Sequence, residues 1–178
     1  MSTLLTDSLA ARSALVDEHV RCENAHDLDG ILRTFGSRAA YDDGPWSERC
    51  SGADEVRGYY ARLLESVPDL HIDVVKKHVA QDEIILEVVI RGTHQATWRG
   101  LPATWRRVEV PLCAIYTFDE RDRLVGERIY YDRATVLKQL GVFREPQTLL
   151  GKIGIAAGHP LTMLQIGLRM LSRKREAR

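Results

Sequence analysis

Apolar residues in the first third of the chain recur every three or four positions, which is the period of an α-helix. This spacing predicts a helix over residues 8–24. Asp27 is a preferred helix-capping residue, and it predicts a second, short helix over residues 28–36. A third helix is predicted over residues 52–67, where apolar side chains fall on one stripe and Pro68 follows the last of them. The chain therefore begins with helices.

Beyond residue 70 the apolar period shortens to two, which indicates β-strands with one covered face. Ile84, Leu86 and Val88, for example, occupy alternate positions. Four strands are predicted, over residues 71–79, 83–98, 108–118 and 124–132. A short helix over residues 134–141 follows them. Helices followed by strands with short links define an α+β fold, and a curved sheet wrapped around helices would leave a concave face for a ligand.

The C-terminal part of the chain changes in character, so we predict an α+β domain over residues 1–143 and a helical extension over residues 144–178. The extension contains a predicted apolar helix over residues 161–171 and ends in a basic tail. Three placements of this helix are open: against its own domain or a partner subunit, over the cavity mouth, or on a membrane surface. The first is favoured over the last, and the helix is too short to span a bilayer.

Charge and cysteine content narrow the classes of partner. The 178 residues include 25 Lys and Arg against 25 Asp and Glu. We therefore expect no nucleic-acid partner, because nucleic-acid binders carry a basic excess. The sequence lacks a membrane-length apolar run and a secretory signal pattern, so we expect a cytoplasmic protein. The three cysteines are widely spaced and no CxxC or HExxH motif occurs, which predicts free thiols and no metal site.

Four segments carry a resemblance to a known family, namely AAYDDGPW (39–46) and residues 52–73, 91–111 and 127–141. Over residues 12–143 the chain resembles the SnoaL-like polyketide cyclase branch of the nuclear transport factor 2-like superfamily, with ketosteroid isomerases and limonene epoxide hydrolase as more distant relatives. The resemblance implies a cone-shaped α+β barrel, with the N-terminal helices packed in a curved, mainly antiparallel sheet. It also implies a homodimer.

Two residues are candidates for catalysis. Asp132 ends an apolar strand, where burial would raise the pKa of its carboxyl, and the resemblance implies that it is a general acid/base. The alternative is that Asp132 only caps the following helix. His94 shares the covered face of its strand if the strand is regular, and the resemblance places a pocket histidine there. The alternatives are a core histidine, or an outward one if Gly92 forms a bulge.

Six further residues are predicted to bind the substrate. Tyr41, Asp43 and Trp46 belong to a segment that lines the pocket in the family, although a solvated turn is an alternative. Trp98 is a candidate pocket wall or a residue of hairpin packing. The remaining two are Tyr59 and Tyr130.

Three functions follow. The first is a cofactor-free cyclase or isomerase for a hydrophobic, polyketide- or steroid-like carbonyl compound, in which Asp132 removes a proton α to the carbonyl and His94 stabilises the enolate. The second is an epoxide hydrolase, which would need an Asp-Arg-Asp set. Arg91 and Asp132 could supply two members, but Thr93 stands where the second aspartate is expected, so the other carboxylate would be that of Asp42 or Asp43. The third is a non-enzymatic module for small-molecule binding or dimerisation.

Overall fold

The computed structural model describes residues 2–36 and 38–165, and the chain forms two compact units, Met1–Leu140 and Gly141–Arg178. The first unit opens with helices α1 (Ser2–Asn24) and α2 (Leu28–Thr34) and contains α3 (Ala53–Ser66) and α4 (Arg133–Gln139). Its strands are β1 (Ala40–Asp43), β2 (Glu48–Ser51), β3 (His71–Val79), β4 (Glu83–Thr93), β5 (Arg107–Phe118) and β6 (Leu124–Tyr131). A 3₁₀ turn, Gly44–Trp46, joins β1 to β2.

The strands of the described chain form one mixed sheet in the order β2-β1-β6-β5-β4-β3. Every pair is antiparallel except β1 with β6, which run parallel. The sheet is curved and unclosed, and it covers the N-terminal helices. These features confirm the predicted α+β class and the mainly antiparallel sheet.

The alternating residues of β4 and β5 do form the core. Ile84, Leu86 and Val88 are buried on β4, and Leu112, Ala114 and Tyr116 are buried on β5. The helices cover this face with further buried side chains, namely Val16, Val20, Val56, Tyr59 and Tyr60. The period of two therefore identified the covered face of the sheet.

Several element boundaries differ from the predicted ones. Strands β1 and β2 were missed, because segments of four residues are too short to show a period. Helix α1 begins at Ser2 rather than residue 8, and β4 ends at Thr93 rather than residue 98. The predicted cap of α2 is in place: the Asp27 side chain accepts a hydrogen bond from the Gly30 N–H.

Gly92 lets α3 approach the sheet closely. A Cβ at this position would lie 2.2 Å from Val67 Cγ1, which is an impossible contact. The register stays regular here, with Gly92 opposite Val108, so there is no bulge to turn the next residues outward. The strand consequently keeps its phase up to His94.

The second unit contains helix α5 (Leu149–Gly158), which the Thr148 side chain caps by accepting from the Gly151 N–H at 3.0 Å. Residues 160–165 are also helical, in agreement with the start of the predicted 161–171 helix. The rest of that helix and the basic tail lie outside the described residues, so the three proposed placements stay predictions.

Among the described helices, none has the length and apolar character needed to cross a membrane. The three cysteines are free.

Candidate active site

The interior of the cone holds two neighbouring cavities that share several apolar wall residues. The outer chamber has a volume of about 100 Å³, and the inner chamber about 30 Å³. The walls of the outer chamber are almost entirely apolar, but its lining includes Tyr59, His94, Trp98 and Tyr131. The inner chamber also has mostly aliphatic walls, and its lining includes three tyrosines and two carboxyl groups, those of Glu23 and Glu127.

His94 faces the outer chamber, as the period of β4 predicts, and it is only 2% exposed. Its Nδ1 accepts a hydrogen bond from the Thr104 backbone N–H at 3.2 Å. In the neutral imidazole the proton is therefore on Nε2. This Nε2 is buried and has no hydrogen-bond partner among the described residues. Burial lowers the pKa of His94, and weaker hydrogen bonding to the Ala96 backbone opposes this shift without reversing it. The neutral form of the ring is therefore favoured.

Asp43 is a buried carboxylate beside the outer chamber: it does not line the chamber itself, but its hydrogen-bond partners Tyr59 and Tyr131 do. It shares the inward face of β1 with Tyr41, and its side chain is fully buried. Its Oδ2 accepts from Arg99 at 2.7 Å, from the Tyr59 hydroxyl at 3.0 Å and from the Tyr131 hydroxyl at 3.4 Å. Its Oδ1 is buried without a partner among the described residues. Burial raises the pKa of Asp43, while Arg99 and the tyrosine hydroxyls oppose that rise.

Arg99 links Asp43 to a second carboxylate. Its guanidinium lies 2.7 Å from Asp43 Oδ2 and 2.6 Å from Glu48 Oε2. The same guanidinium stacks over the rings of Trp46 and Trp98, at 4.8 and 4.9 Å from their centroids. Trp46 therefore contacts Arg99 and does not line the outer chamber, whereas Trp98 does both.

The structure corrects the placement of Asp132. Its side chain is exposed and caps α4, accepting from the N–H groups of Ala134 and Thr135 at 2.9 and 3.2 Å. A hydrogen bond from the Thr135 hydroxyl, followed by those from the backbone, lowers the pKa of Asp132. The expectation that burial raises this pKa in a cavity is wrong, because β6 ends at Tyr131 and the chain turns at Asp132.

Tyr130 also lies elsewhere than predicted, with 47% of its surface exposed on the outer face. Glu127 and Ile129 point inward on β6, so Tyr131 is the inward tyrosine and Tyr130 the outward one. Continuing the alternation along β6 would have found Tyr131. Of the other predicted binding residues, Tyr41 and Tyr59 line the outer chamber.

The arginines of the sheet lie on its outer face. Arg91 forms ion pairs with Asp73 and with Glu109, which is 3.1 Å away. The predicted combination of Arg91 with Asp132 is therefore wrong, since neither side chain points into the cone. Arg128 lies 3.4 Å from Asp42, the outward neighbour of Asp43.

A buried polar cluster, which we call the inner cluster, surrounds the Tyr60 hydroxyl. The hydroxyl lies 2.9 Å from Glu23 Oε1, 2.7 Å from Glu127 Oε2 and 3.2 Å from His19 Nε2. His19 Nδ1 lies 2.6 Å from the Thr34 hydroxyl. The sequence contained a signal for this cluster, because His19 falls on the apolar stripe of α1 and Glu127 on the inward face of β6.

The charges of the inner cluster depend on one another. Burial, and then the nearby Glu127, raise the pKa of Glu23 to about 7, against the opposing effects of His19 and Tyr60. Burial alone would lower the pKa of His19, but Glu23 and Glu127 outweigh it and the net direction is upward. Two carboxyl groups and one imidazole are thus held close together in the buried interior.

Known structures share this fold. AclR of Streptomyces galilaeus, provisionally assigned as a hydroxylase, is 23% identical, covers 76% of this chain and 99% of its own, and superimposes with a TM-score of 0.66. A protein of Jannaschia sp. CCS1, provisionally assigned as a SnoaL-like polyketide cyclase, is 17% identical over 76% of this chain and 94% of its own, with a TM-score of 0.68. SalBIII, an epoxide hydrolase/cyclase-like enzyme of pyran ring formation in salinomycin, is 18% identical over 68% of this chain and 91% of its own, with a TM-score of 0.59.

No curated protein sequence matches this chain significantly. The sequence model of one family, described as SnoaL-like polyketide cyclase, matches residues 13–140, which include every strand and both chambers of the first unit. The order of elements, the unclosed sheet and the cone interior agree with that assignment. The chain therefore belongs to the SnoaL-like polyketide cyclase family.

Proposed function

We propose that this protein is an enzyme that performs acid/base chemistry on a hydrophobic carbonyl compound in the outer chamber. The observation that carries the proposal is the unpartnered, buried Nε2 of His94 in the wall of an apolar cavity. A buried donor without a partner costs free energy, which a ligand oxygen would recover. Family membership supports a cyclase-like role, and the relatives named above include cyclase-like enzymes.

His94 would act on the carbonyl oxygen. The neutral Nε2–H donates to this oxygen, and the hydrogen bond strengthens as negative charge builds up in the enolate. Because burial lowers the pKa of His94, the ring stays neutral at a pH where an exposed histidine would begin to charge. The apolar walls exclude water and so increase the effect of this donor.

Asp43 replaces Asp132 as the proposed base. Arg99 and Tyr59 hold Oδ2, which leaves Oδ1 free to accept a proton from the carbon next to the carbonyl. The raised pKa of Asp43 makes it a better proton acceptor than an exposed aspartate. The carboxylic acid formed then returns the proton to a different carbon of the enolate, which gives isomerisation. In a cyclisation, the enolate carbon instead forms a bond to a second carbonyl carbon of the substrate, the π bond of that carbonyl breaks, and the carboxylic acid protonates the resulting alkoxide oxygen.

The size of the outer chamber limits what it encloses. A volume of about 100 Å³ accommodates a single ring or a short acyl segment. A polycyclic ligand would place its reacting carbonyl inside and leave the remainder at the mouth. Trp98 and Tyr59, whose rings pack edge to face at 5.8 Å, would contact the enclosed ring.

The test is hydrogen exchange α to the carbonyl in D₂O, followed by NMR on a panel of cyclic ketones and diketones. The His94→Gln and Asp43→Asn variants should each lose about a hundredfold of the exchange rate. Asp132→Asn is the matched control, because asparagine keeps the helix cap, and its rate should equal that of the wild type. Full exchange by both His94→Gln and Asp43→Asn, or loss of exchange in Asp132→Asn alone, would refute the assignment.

A second candidate, epoxide hydrolysis, is favoured by a specific observation: Arg99 bridges the carboxylates of Asp43 and Glu48. This set has the carboxylate–guanidinium–carboxylate order that was expected of Arg91 and Asp132. An epoxide incubated in H₂¹⁸O distinguishes the two functions. Incorporation of ¹⁸O that depends on Asp43 and Glu48 supports hydrolysis, whereas isomerisation or cyclisation without ¹⁸O supports the first proposal.

Three further expectations concern partners and location. The homodimer, the lack of a nucleic-acid partner and the cytoplasmic location stay predictions.

The non-enzymatic alternative predicts a different outcome of the exchange experiment. The His94→Gln and Asp43→Asn variants would still bind the ligand, and neither the wild type nor any variant would catalyse hydrogen exchange.

A further inference from the structure

We propose that the inner cluster is a binding site for a single divalent cation of the Zn²⁺ type, with His19, Glu23 and Glu127 as its ligands. These residues come from α1 and β6, and their ligand atoms lie within 4.8 Å of one another. The site is distinct from His94 and Asp43 in the proposed acid/base chemistry. Sequence motifs do not show it, because the third ligand is more than a hundred residues from the first two.

The hydrogen bonds around His19 present the correct nitrogen. The Thr34 hydroxyl donates its only proton to the Ile31 carbonyl, at 2.6 Å. Thr34 must therefore accept from His19 Nδ1–H, to which it is 2.6 Å distant. In the neutral ring this leaves the lone pair of Nε2 directed at the two glutamates. A histidine that binds a metal through one nitrogen commonly donates the other N–H in this manner.

The distances within the cluster suit one small cation. His19 Nε2 lies 3.8 Å from Glu23 Oε1 and 3.2 Å from Glu127 Oε2. Atoms bound to Zn²⁺ at about 2.0–2.2 Å in a tetrahedron are separated by about 3.3–3.6 Å. The Tyr60 hydroxyl, at 2.7 to 3.2 Å from the same three atoms, is too close to them for a tetrahedral corner and remains a hydrogen-bond donor to the carboxylates. Modest side-chain adjustments would bring the ligand atoms of His19, Glu23 and Glu127 to bonding distance.

An unsatisfied carboxylate oxygen provides independent support. Glu23 is only 6% exposed, and its Oε2 is buried without a hydrogen-bond partner among the described residues. The ion pairs of Glu23 and Glu127 in that part of the chain involve only His19, with no lysine or arginine. A divalent cation would balance two buried carboxylates and would give Glu23 Oε2 a partner, through bidentate coordination.

The cation would be structural. Its ligands join the N-terminal helix to the sheet, and Tyr60 adds α3, so that the ion would hold three elements around the inner chamber. With His19, Glu127 and both carboxylate oxygens of Glu23 as donors, no open position is left for a substrate, which is typical of structural zinc sites. Binding to the folded state alone would raise the melting temperature with metal concentration.

The test uses the full chain, stripped of metal with EDTA and then refolded with Zn²⁺ or Co²⁺. After dialysis we expect a single ion per chain, a higher melting temperature, and for Co²⁺ the intense visible absorption of a tetrahedral complex. Refolding with metal matters because the ligands are buried and uptake by the folded protein could be slow. Glu23→Gln keeps the size of the side chain, and it should lose the ion and the absorption.

Two controls separate this site from others. His71 and His78 each pair with a carboxylate on the exposed surface and could bind metal adventitiously. The double variant His71→Gln/His78→Gln should therefore retain the ion, as should His94→Gln. Glu127→Gln tests the site a second time if Glu23→Gln does not fold.

The proposal fails if the wild-type chain, refolded with Zn²⁺ or Co²⁺, retains no ion. It also fails if folded Glu23→Gln or Glu127→Gln binds the ion as tightly as the wild type, or if the surface double variant loses it. In each of these cases the inner cluster is a hydrogen-bonded network that binds no metal ion.

Discussion

At the scale of single residues, burial and hydrogen bonding decide what each titratable group can do. His94 is enclosed by apolar walls, so its pKa is lowered and the neutral ring keeps a free donor. Asp132 is a carboxylate held by the N-terminus of α4, so its pKa is lowered and it stays ionised in solvent. The family resemblance implied a catalytic role for Asp132, but the surroundings of Asp132 are less suited to proton transfer than those of His94.

The lowered pKa of His94 makes folding stability depend on pH. The unfolded chain takes up a proton near the ordinary value of 6.5, while the folded chain resists it. The stability linked to His94 is therefore complete above pH 6.5 and is lost as the pH falls below it. We expect the wild type to lose stability relative to His94→Gln on acidification, as measured by urea unfolding at several pH values. A constant difference across that range would contradict the burial of His94.

The cap at Asp132 leads to a prediction about stability rather than catalysis. Asp132→Ala should lower the free energy of unfolding by about 1 kcal/mol, because the N–H groups of Ala134 and Thr135 lose their acceptor. Asp132→Asn should cost much less, since asparagine caps equally well. Equilibrium urea unfolding of the two variants measures the difference. Equal losses in both would indicate that the charge, and not the cap, matters.

At the scale of elements, close contact between α3 and β4 sets the shape of the outer chamber. Helix α3 carries Tyr59 towards Asp43, and the chain after it passes over Gly92. Strand β4 leads directly to His94, whose side chain lies in the wall of the outer chamber. The register of β4 against β5 and the end of α3 are consequently coupled to the position of the proposed donor.

Gly92→Ala should strain this contact. The added methyl group would lie 2.2 Å from Val67 Cγ1 and would force the end of α3 away from the sheet. Overpacking of this kind costs about 1–3 kcal/mol, which thermal or urea unfolding would detect. The double variant Gly92→Ala/Val67→Ala removes the opposing methyl groups and should recover part of the loss. A Gly92→Ala protein as stable as the wild type would show that the contact is not tight.

At the scale of the whole first unit, polar groups occupy two depths of one apolar cone. The outer chamber has His94 and, beside it, Asp43 with Arg99, whereas the inner chamber has the inner cluster. The apolar residues between them separate the two sets of charges. This arrangement allows acid/base chemistry in the outer chamber, apart from the buried charges of the inner cluster.

Filling the outer chamber should abolish ligand binding without unfolding the protein. Val110 lines this chamber and is 8% exposed, so Val110→Phe would occupy much of its volume. We expect cyclohexanone or phenol to raise the melting temperature of the wild type but not of Val110→Phe. Val75→Phe is the control, because Val75 is 65% exposed on β3. Equal shifts in wild type and Val110→Phe would place the binding site elsewhere.

The amino-acid sequence by itself determined the class of the fold and the covered face of the sheet. The period of two in β4 assigned every second residue from Ile84 to His94 to one face, because alternation is a property of the extended chain. Helix caps such as Asp27 are equally local, since the side chain bonds to backbone only a few residues away. Tyr41, Tyr59 and Trp98 line the outer chamber, but their binding of a substrate, like that of Asp43, stays a prediction.

Only the tertiary structure decided which carboxyl groups face the interior. Asp43 is the last residue of β1 and Asp132 directly follows β6, yet the Asp132 side chain caps α4 in solvent whereas Asp43 is buried and bonded to Arg99. The inner cluster joins α1, α3 and β6, whose proximity depends on how the sheet curves around the helices. A periodic pattern fixes the face on which a side chain lies, but its depth and its partners result from long-range packing.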